Sequence, residues 1–106
     1  MYLSTTKEIA GKEVKEHLGL VTAETVYGAH IGRDLLASIR DFVGGRSKTY
    51  EKVLADLKKA ALEELQERAK SIGADAIVGI KLDFGIAGAN GSMMMLNASG
   101  TAVKLA

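Results

Sequence analysis

The run from Tyr50 to Ile72 constrains the fold more than any other part of this sequence, because it contains neither glycine nor proline. Its apolar residues recur at spacings of three and four, which places them on one side of a helix. They are Tyr50, Val53, Leu54, Leu57, Ala61, Leu65, Ala69 and Ile72. Such a helix would be about 35 Å long. It ends at Gly73, and its apolar side needs a sheet or a partner to cover it.

Three longer segments carry the period of two that is typical of strands. Gly19–Ile31 is rich in β-branched residues and has one face that is more apolar than the other. Ala74–Ala87 and Ser92–Leu105 flank an Asn-Gly pair, which is a strong signal for a hairpin. Two shorter strands are predicted near Tyr2–Thr6 and Glu13–His17.

The alternation of residues predicts which side chains share a face in each strand of the hairpin. One set is predicted to share a face of the first strand: Ala76, Val78, Ile80, Leu82, Phe84 and Ile86. A second set shares a face of the return strand, and its small members would let a helix approach closely: Met94, Leu96, Ala98, Gly100 and Ala102. Apolar residues therefore occur on both faces of the hairpin.

A short helix is predicted over Arg33–Val43, with Gly44-Gly45 ending it. The resulting fold class is α+β: a two-layer domain in which a mainly antiparallel sheet packs on one long helix plus a short helix. The chain of 106 residues forms one domain, 1–106. Because one long helix and a few strands make a thin core, we expect a homo-oligomer that buries the two-sided hairpin against other copies.

Composition excludes several classes of function. There is no cysteine, so disulfides, thiolate metal sites and cysteine nucleophiles are ruled out. The net charge is +1 with both signs mixed along the chain, which does not favour nucleic acid or an anionic membrane surface as a partner. No apolar run approaches a membrane span, and we expect a cytoplasmic protein. No catalytic constellation can be placed, so we expect a protein that is not an enzyme.

The stretch IRDFVGGRSKTYEKV resembles a phosphate-binding loop only at first sight. The pattern G-x-x-x-x-G-K-[ST] requires glycine where Phe42 and Ser47 stand, and a strand where a helix is predicted. Ser47 or Thr49 can instead cap the long helix. A weaker anion site remains open, because free N–H groups at that helix terminus lie beside Arg46 and Ser47.

Two Arg-Asp pairs, Arg33-Asp34 and Arg40-Asp41, are seven residues apart. On a helix, this spacing brings the two arginines to one side and the two aspartates to one side. Together with Arg46 they form either an anion-binding stripe or a set of ion pairs between subunits.

Metal donors are few. The chain has two histidines, His17 and His30, and its other candidate ligands are Glu24 and the thioethers of Met93 and Met95, which share a strand face. Thioethers suit Cu(I), although methionine more often fills gaps in packing. The sequence leaves the metal, and any cofactor, unidentified.

The sequence resembles the YbjQ family along nearly its whole length. The resemblance is carried by the block from Arg33 to Glu51, by GADAIVGI (Gly73–Ile80) and by SGTAV (Ser99–Val103). It implies a dodecin-like two-layered fold, assembly into a ring-forming pentamer, and a heavy-metal-binding role in a family otherwise of unknown function. We know of no ligand motif that could be carried over to individual residues.

These observations favour a homo-oligomeric cytoplasmic binding protein that holds a small anion or a metal at subunit interfaces. Two alternatives stay open. One is heavy-metal handling, which the family resemblance implies, and the other is a purely structural oligomer without a ligand.

Overall fold

The computed structural model describes residues 1–27, 48–87 and 93–106. These ranges contain one short strand and one long strand before the helix, and two strands after it. In chain order the elements are β1 (Tyr2–Leu3), β2 (Val14–Tyr27), α1 (Lys48–Ser71), β3 (Ala76–Ala87) and β4 (Met93–Leu105). The predicted short helix over Arg33–Val43, the Gly44-Gly45 stop and the Asn-Gly turn lie outside the described residues.

The four strands form one mixed sheet in the order β1-β3-β4-β2. β1 pairs with β3 in parallel, while β4 pairs antiparallel with β3 on one side and with β2 on the other. The predicted α+β class with a mainly antiparallel sheet is confirmed. Since β2 and β3 both run opposite to β4, they run in the same direction as each other.

The core lies between α1 and one face of the sheet, mainly over β2 and β4. Its buried members are Val21, Ala23, Val53, Leu57, Ala61, Leu65, Ala69, Ile77, Ile80, Met94, Leu96, Ala98 and Ala102. The predicted helical stripe is therefore confirmed from Val53 to Ala69. Ile72 is the exception, because it follows the end of α1 and is 46% exposed. α1 begins at Lys48, one residue before Thr49.

β2 is one continuous strand from Val14 to Tyr27, where two strands were predicted. Register shifts against β4 fall between Val14 and Glu16 and between His17 and Gly19. Gly19 has φ of 128°, a conformation that other residues rarely adopt. The two irregularities break the alternation of the sequence, which explains why one strand looked like two.

β3 contains a bulge that the predicted alternation missed. Between Val78 and Lys81, three steps along β3 match two steps along β4, and Gly79 has φ of 61°. An extra residue reverses which face the following side chains occupy. Ile80 consequently packs under α1 together with Ile77, whereas Val78 belongs to a small cluster on the opposite face. The prediction that Val78 and Ile80 share a face is wrong.

Gly100 faces this bulge from β4. A Cβ atom at Gly100 would lie 2.6 Å from Cγ2 of Ile77 and 3.2 Å from both Cγ1 of Ile80 and the carbonyl oxygen of Val78. The missing side chain thus makes room for two isoleucines of the neighbouring strand. Two other small residues of this face, Ala98 and Ala102, lie in one buried cluster with α1, as the sequence led us to expect.

Candidate functional site

The sheet face opposite α1 carries a group of side chains that the helix does not cover. We call this the open face, and it comprises Thr22, Glu24, Val26, Lys81, Asp83, Met93, Met95, Asn97 and Ser99. These residues alternate with buried ones on the helix side, such as Ala23 and Met94. At the other end of the sheet, the same face is closed by a second cluster built on Ala76, Val78 and Val103.

The pairing of β2, β4 and β3 places the side chains of the open face in rows that run across the three strands. Asn97 of β4 lies between Glu24 of β2 and Asp83 of β3. Two strand spacings separate the Cα atoms of the two acidic residues, which amounts to about 10 Å. The ammonium of Lys81 lies 3.7 Å from the carboxylate of Asp83. Because both partners of this pair are well exposed, the contact orders the surface more than it stabilises the fold.

Three of the five metal candidates from the sequence lie on the open face. Met95 pairs across the strands with Val26, Met93 lies two residues before it, and Glu24 occupies the adjacent row. His30 lies outside the described residues. The remaining histidine, His17, sits near the opposite end of β2, about 23 Å from Glu24 along the strand.

The donor set does not fit a closed heavy-metal site. Among the residues that the structure describes, no group of three histidine, cysteine, aspartate or glutamate side chains could hold a metal ion. The whole chain lacks cysteine. What the open face offers is two thioethers and one carboxylate. Such a set suits a soft monovalent ion better than zinc, whose structural sites take four nitrogen or sulfur ligands.

All the anion-binding candidates of the sequence fall between β2 and α1, outside the described ranges. They are Arg33, Asp34, Arg40, Asp41, Arg46 and Ser47. Their alternative roles in anion binding and in ion pairing between subunits therefore stay predictions.

A second exposed surface lies on the helix side of β3. α1 sits over β2 and β4, so the far half of β3 extends beyond it. Leu82, Phe84 and Ile86 are 39%, 38% and 58% exposed, and we call them the uncovered strip. Their register partners on β4 are Ala98, Leu96 and Met94, each buried beneath α1.

The uncovered strip adjoins an apolar cavity of about 390 Å³. The cavity is lined by Leu3, Ser4, Thr5, Leu62, Ile80 and Leu82. Its wall is held by backbone hydrogen bonds, since the N–H of Ile80 donates to Ser4 and that of Gly79 donates to Thr6. The alternation of the sequence placed Leu82 on an apolar face of its strand. It could not show that α1 leaves this side chain exposed.

The fold and these two surfaces define a small two-layer α+β domain with apolar side chains exposed on both faces of one hairpin. The chain belongs to the YbjQ family, whose model, described as "Putative heavy-metal-binding", matches residues 1–106. It is similar in structure to a protein of unknown function of the DUF74 family from Pediococcus pentosaceus, with a TM-score of 0.69. The two share 18% identity over 100% of this chain and 98% of that chain, a likeness that concerns the fold alone.

Two of the sequence blocks that carry the family resemblance have structural explanations. In GADAIVGI, Gly73 ends α1 with φ of 84°, and Gly79 forms the bulge. The carboxylate of Asp75 accepts the N–H of Leu105 at 3.0 Å and so ties the start of β3 to the end of β4. In SGTAV, Gly100 accommodates the bulge. These residues build the hairpin.

Within residues 1–27, 48–87 and 93–106, the structure contains no helix with the length and hydrophobicity that crossing a membrane requires.

Proposed function

We propose that this chain is a homo-oligomeric binding protein that holds a small ligand where its subunits meet. The observation that carries the proposal is the uncovered strip of β3, whose three large apolar side chains are 38% to 58% exposed beside an apolar cavity. Contiguous exposed apolar surface of this kind marks interaction sites.

The opposite face supports the same conclusion. Val26 and Met95, which are register partners on the open face, are 49% and 37% exposed. A copy that contacts its neighbours through both faces can continue around a closed ring. The family resemblance makes a pentamer with a dodecin-like arrangement the expected ring, and we keep the cytoplasm as the expected location.

Size-exclusion chromatography with light scattering tests the assembly. We expect a mass about five times the 11.2 kDa of one chain. Ile86→Lys places a charge in the uncovered strip and should lower the mass. Ala60→Lys is the matched control, because it adds the same charge at an exposed position of α1 that belongs to neither surface. A wild-type chain that elutes as a monomer at micromolar concentration would contradict the proposal.

The ligand we propose first is a small anion, because Arg33, Arg40 and Arg46 provide guanidinium groups that suit phosphate or carboxylate. Titration calorimetry with inorganic phosphate tests this site. Arg40→Ala should weaken binding, while Lys70→Ala on the exposed last turn of α1 should not. Equal binding of phosphate by wild type and Arg40→Ala would show that the proposed anion site is wrong.

The second candidate function is binding of a soft metal, which the family description and the placement of Met93 and Met95 on one exposed face favour. We expect the purified chain to compete with a Cu(I) indicator, and the double variant Met93→Leu/Met95→Leu to compete less. Met94→Leu is the control, because Met94 is 1% exposed on the helix side. Absence of binding tighter than millimolar would eliminate this function. If the anion also fails to bind, a purely structural oligomer is left.

A further inference from the structure

Arg68 connects α1 to the outer edge of the sheet. One terminal nitrogen of its guanidinium donates to the carbonyl oxygen of Thr22 on β2. The other donates to the carboxylate of Glu64, one turn earlier on the helix, at 2.6 Å. The guanidinium is therefore held in place by the helix while it occupies a backbone acceptor of the strand.

The strand that Arg68 contacts is the last strand of the sheet. β2 pairs with β4 on one side, and no described strand pairs with its outer side. Backbone groups alternate in direction along a strand, so those of Leu20, Glu24 and Val26 point outward together with those of Thr22. An edge of this kind is a template on which another chain can add a strand.

The regular part of this edge has the composition of a segment prone to strand addition. From Leu20 to Tyr27 the sequence is LVTAETVY, with several β-branched residues, one charge and neither glycine nor proline. Leu20 and Val26 are 74% and 49% exposed. The earlier half of β2 is different, because its two register shifts and the charges of Lys15 and Glu16 oppose regular pairing.

Thr22 lies near the middle of the regular stretch. An incoming strand would have to occupy the position about 4.8 Å from β2, where the guanidinium of Arg68 now sits. Only Gly19–Val21 and Ala23–Tyr27 remain on either side. The longer piece has five residues, so a strand that avoids the guanidinium could pair with only part of this edge.

We propose that Arg68 is a gatekeeper that closes the outer edge of β2 against strand addition by another copy of this chain. The role goes beyond the proposed binding function, because it holds whether the wild-type chain is a monomer or a ring. In either case, the outer edge of β2 does not pair with another copy.

The test compares Arg68→Ala with wild type by light scattering and thioflavin T fluorescence during incubation near body temperature. We expect Arg68→Ala to shift to larger species and to develop a thioflavin signal that wild type lacks. Arg68→Lys, which retains one cationic donor, should fall between the two. Lys70→Ala is the charge-matched control, because it removes an exposed cation from the same turn and should behave as wild type.

Loss of stability could also cause aggregation, so a second control separates the two causes. Thr25→Val removes the hydrogen bond that Thr25 donates to the carbonyl of Leu57 but leaves Arg68 intact. It should be less stable than wild type in urea without forming larger species. Adding Leu20→Lys to Arg68→Ala places a charge on the opened edge, at a side chain that is 74% exposed, and should restore the wild-type size. The proposal is overturned if Arg68→Ala keeps the wild-type size and fluorescence, or if Thr25→Val aggregates to the same degree.

Discussion

Replacing Gly100 with alanine tests the packing argument at the β3 bulge most directly. The added Cβ would meet Cγ2 of Ile77 at 2.6 Å, a separation that real Cβ contacts essentially never show. Ile77 is fully buried, so its side chain has little room to move away. The carbonyl oxygen of Val78, at 3.2 Å, belongs to the backbone of the bulge and cannot rotate aside.

Two opposing effects set the magnitude. Overfilling a packed core costs about 1–3 kcal/mol. Against this, exchanging glycine for alanine restricts the unfolded chain and contributes about 0.4–1 kcal/mol of stability where the conformation is compatible. Gly100 does not have positive φ, so this gain applies. The net expectation is a loss of about 1–2 kcal/mol in the free energy of unfolding, which lowers Tm by about 5–10 °C.

Urea unfolding followed by circular dichroism measures this loss, with every variant at one protein concentration. Gly85→Ala is the matched control. Gly85 lies in the same hairpin without positive φ, and a Cβ there would meet nothing within 4 Å. We expect Gly85→Ala to be neutral or slightly stabilising.

A Gly100→Ala variant at least as stable as wild type would refute this account of the bulge. The double variant Ile77→Ala/Gly100→Ala refines the test. Ile77→Ala alone should cost about 2–5 kcal/mol, because it empties a fully buried position. If the methyl group at position 100 clashes with Ile77, the two losses should be less than additive. Additive losses would assign the effect of Gly100→Ala to Ile80 or to the backbone of Val78.

Two further predictions concern hydrogen bonding and backbone conformation. Gly79→Ala should lower the free energy of unfolding by about 1–2 kcal/mol, because alanine is strained at φ of 61°. The urea midpoint measures it, and an unchanged midpoint would show that the bulge relaxes. Thr25→Val should cost about 0.5–1.5 kcal/mol through loss of the 3.1 Å hydrogen bond to Leu57. Thr25→Ser, which retains the hydroxyl, should lose less in the same assay.

Local periodicity was sufficient to predict α1 and the buried face of β2. The helical stripe from Val53 to Ala69 follows from spacing within one element, and so does the burial of Val21 and Ala23. These features depend on neighbours a few residues apart, which a sequence displays directly.

Features that depend on distant parts of the chain could not be predicted in the same way. The pairing of β1 with β3 joins Tyr2 to Ala76 over only two residue pairs. The reversal of faces after Gly79 was signalled by a glycine inside a strand pattern, which is a known sign of a bulge. How the bulge packs nevertheless depends on Gly100 of the neighbouring strand, whose missing side chain leaves room for Ile77.

The candidate site could be predicted only where it depends on alternation within one strand. Alternation correctly placed Met93 and Met95 on one face of β4, opposite Met94. It could not bring Glu24 beside them, because that neighbourhood is set by the register of β2 against β4. Nor could it reveal the contact of Arg68 with Thr22, which spans 46 positions of the chain.

The shared direction of β2 and β3 has a consequence for how copies of this domain can be joined at their edges. Two β2 edges, or two copies of the part of β3 that lies beyond β1, would meet around a twofold axis, and such contacts stop at a pair. A β2 edge joined to a β3 edge leaves a fresh edge of each kind at the ends, so the same contact can repeat. Arg68 blocks one of the two edges that every repeating contact of this type requires. A single guanidinium would then separate an assembly of fixed size from an unlimited fibre.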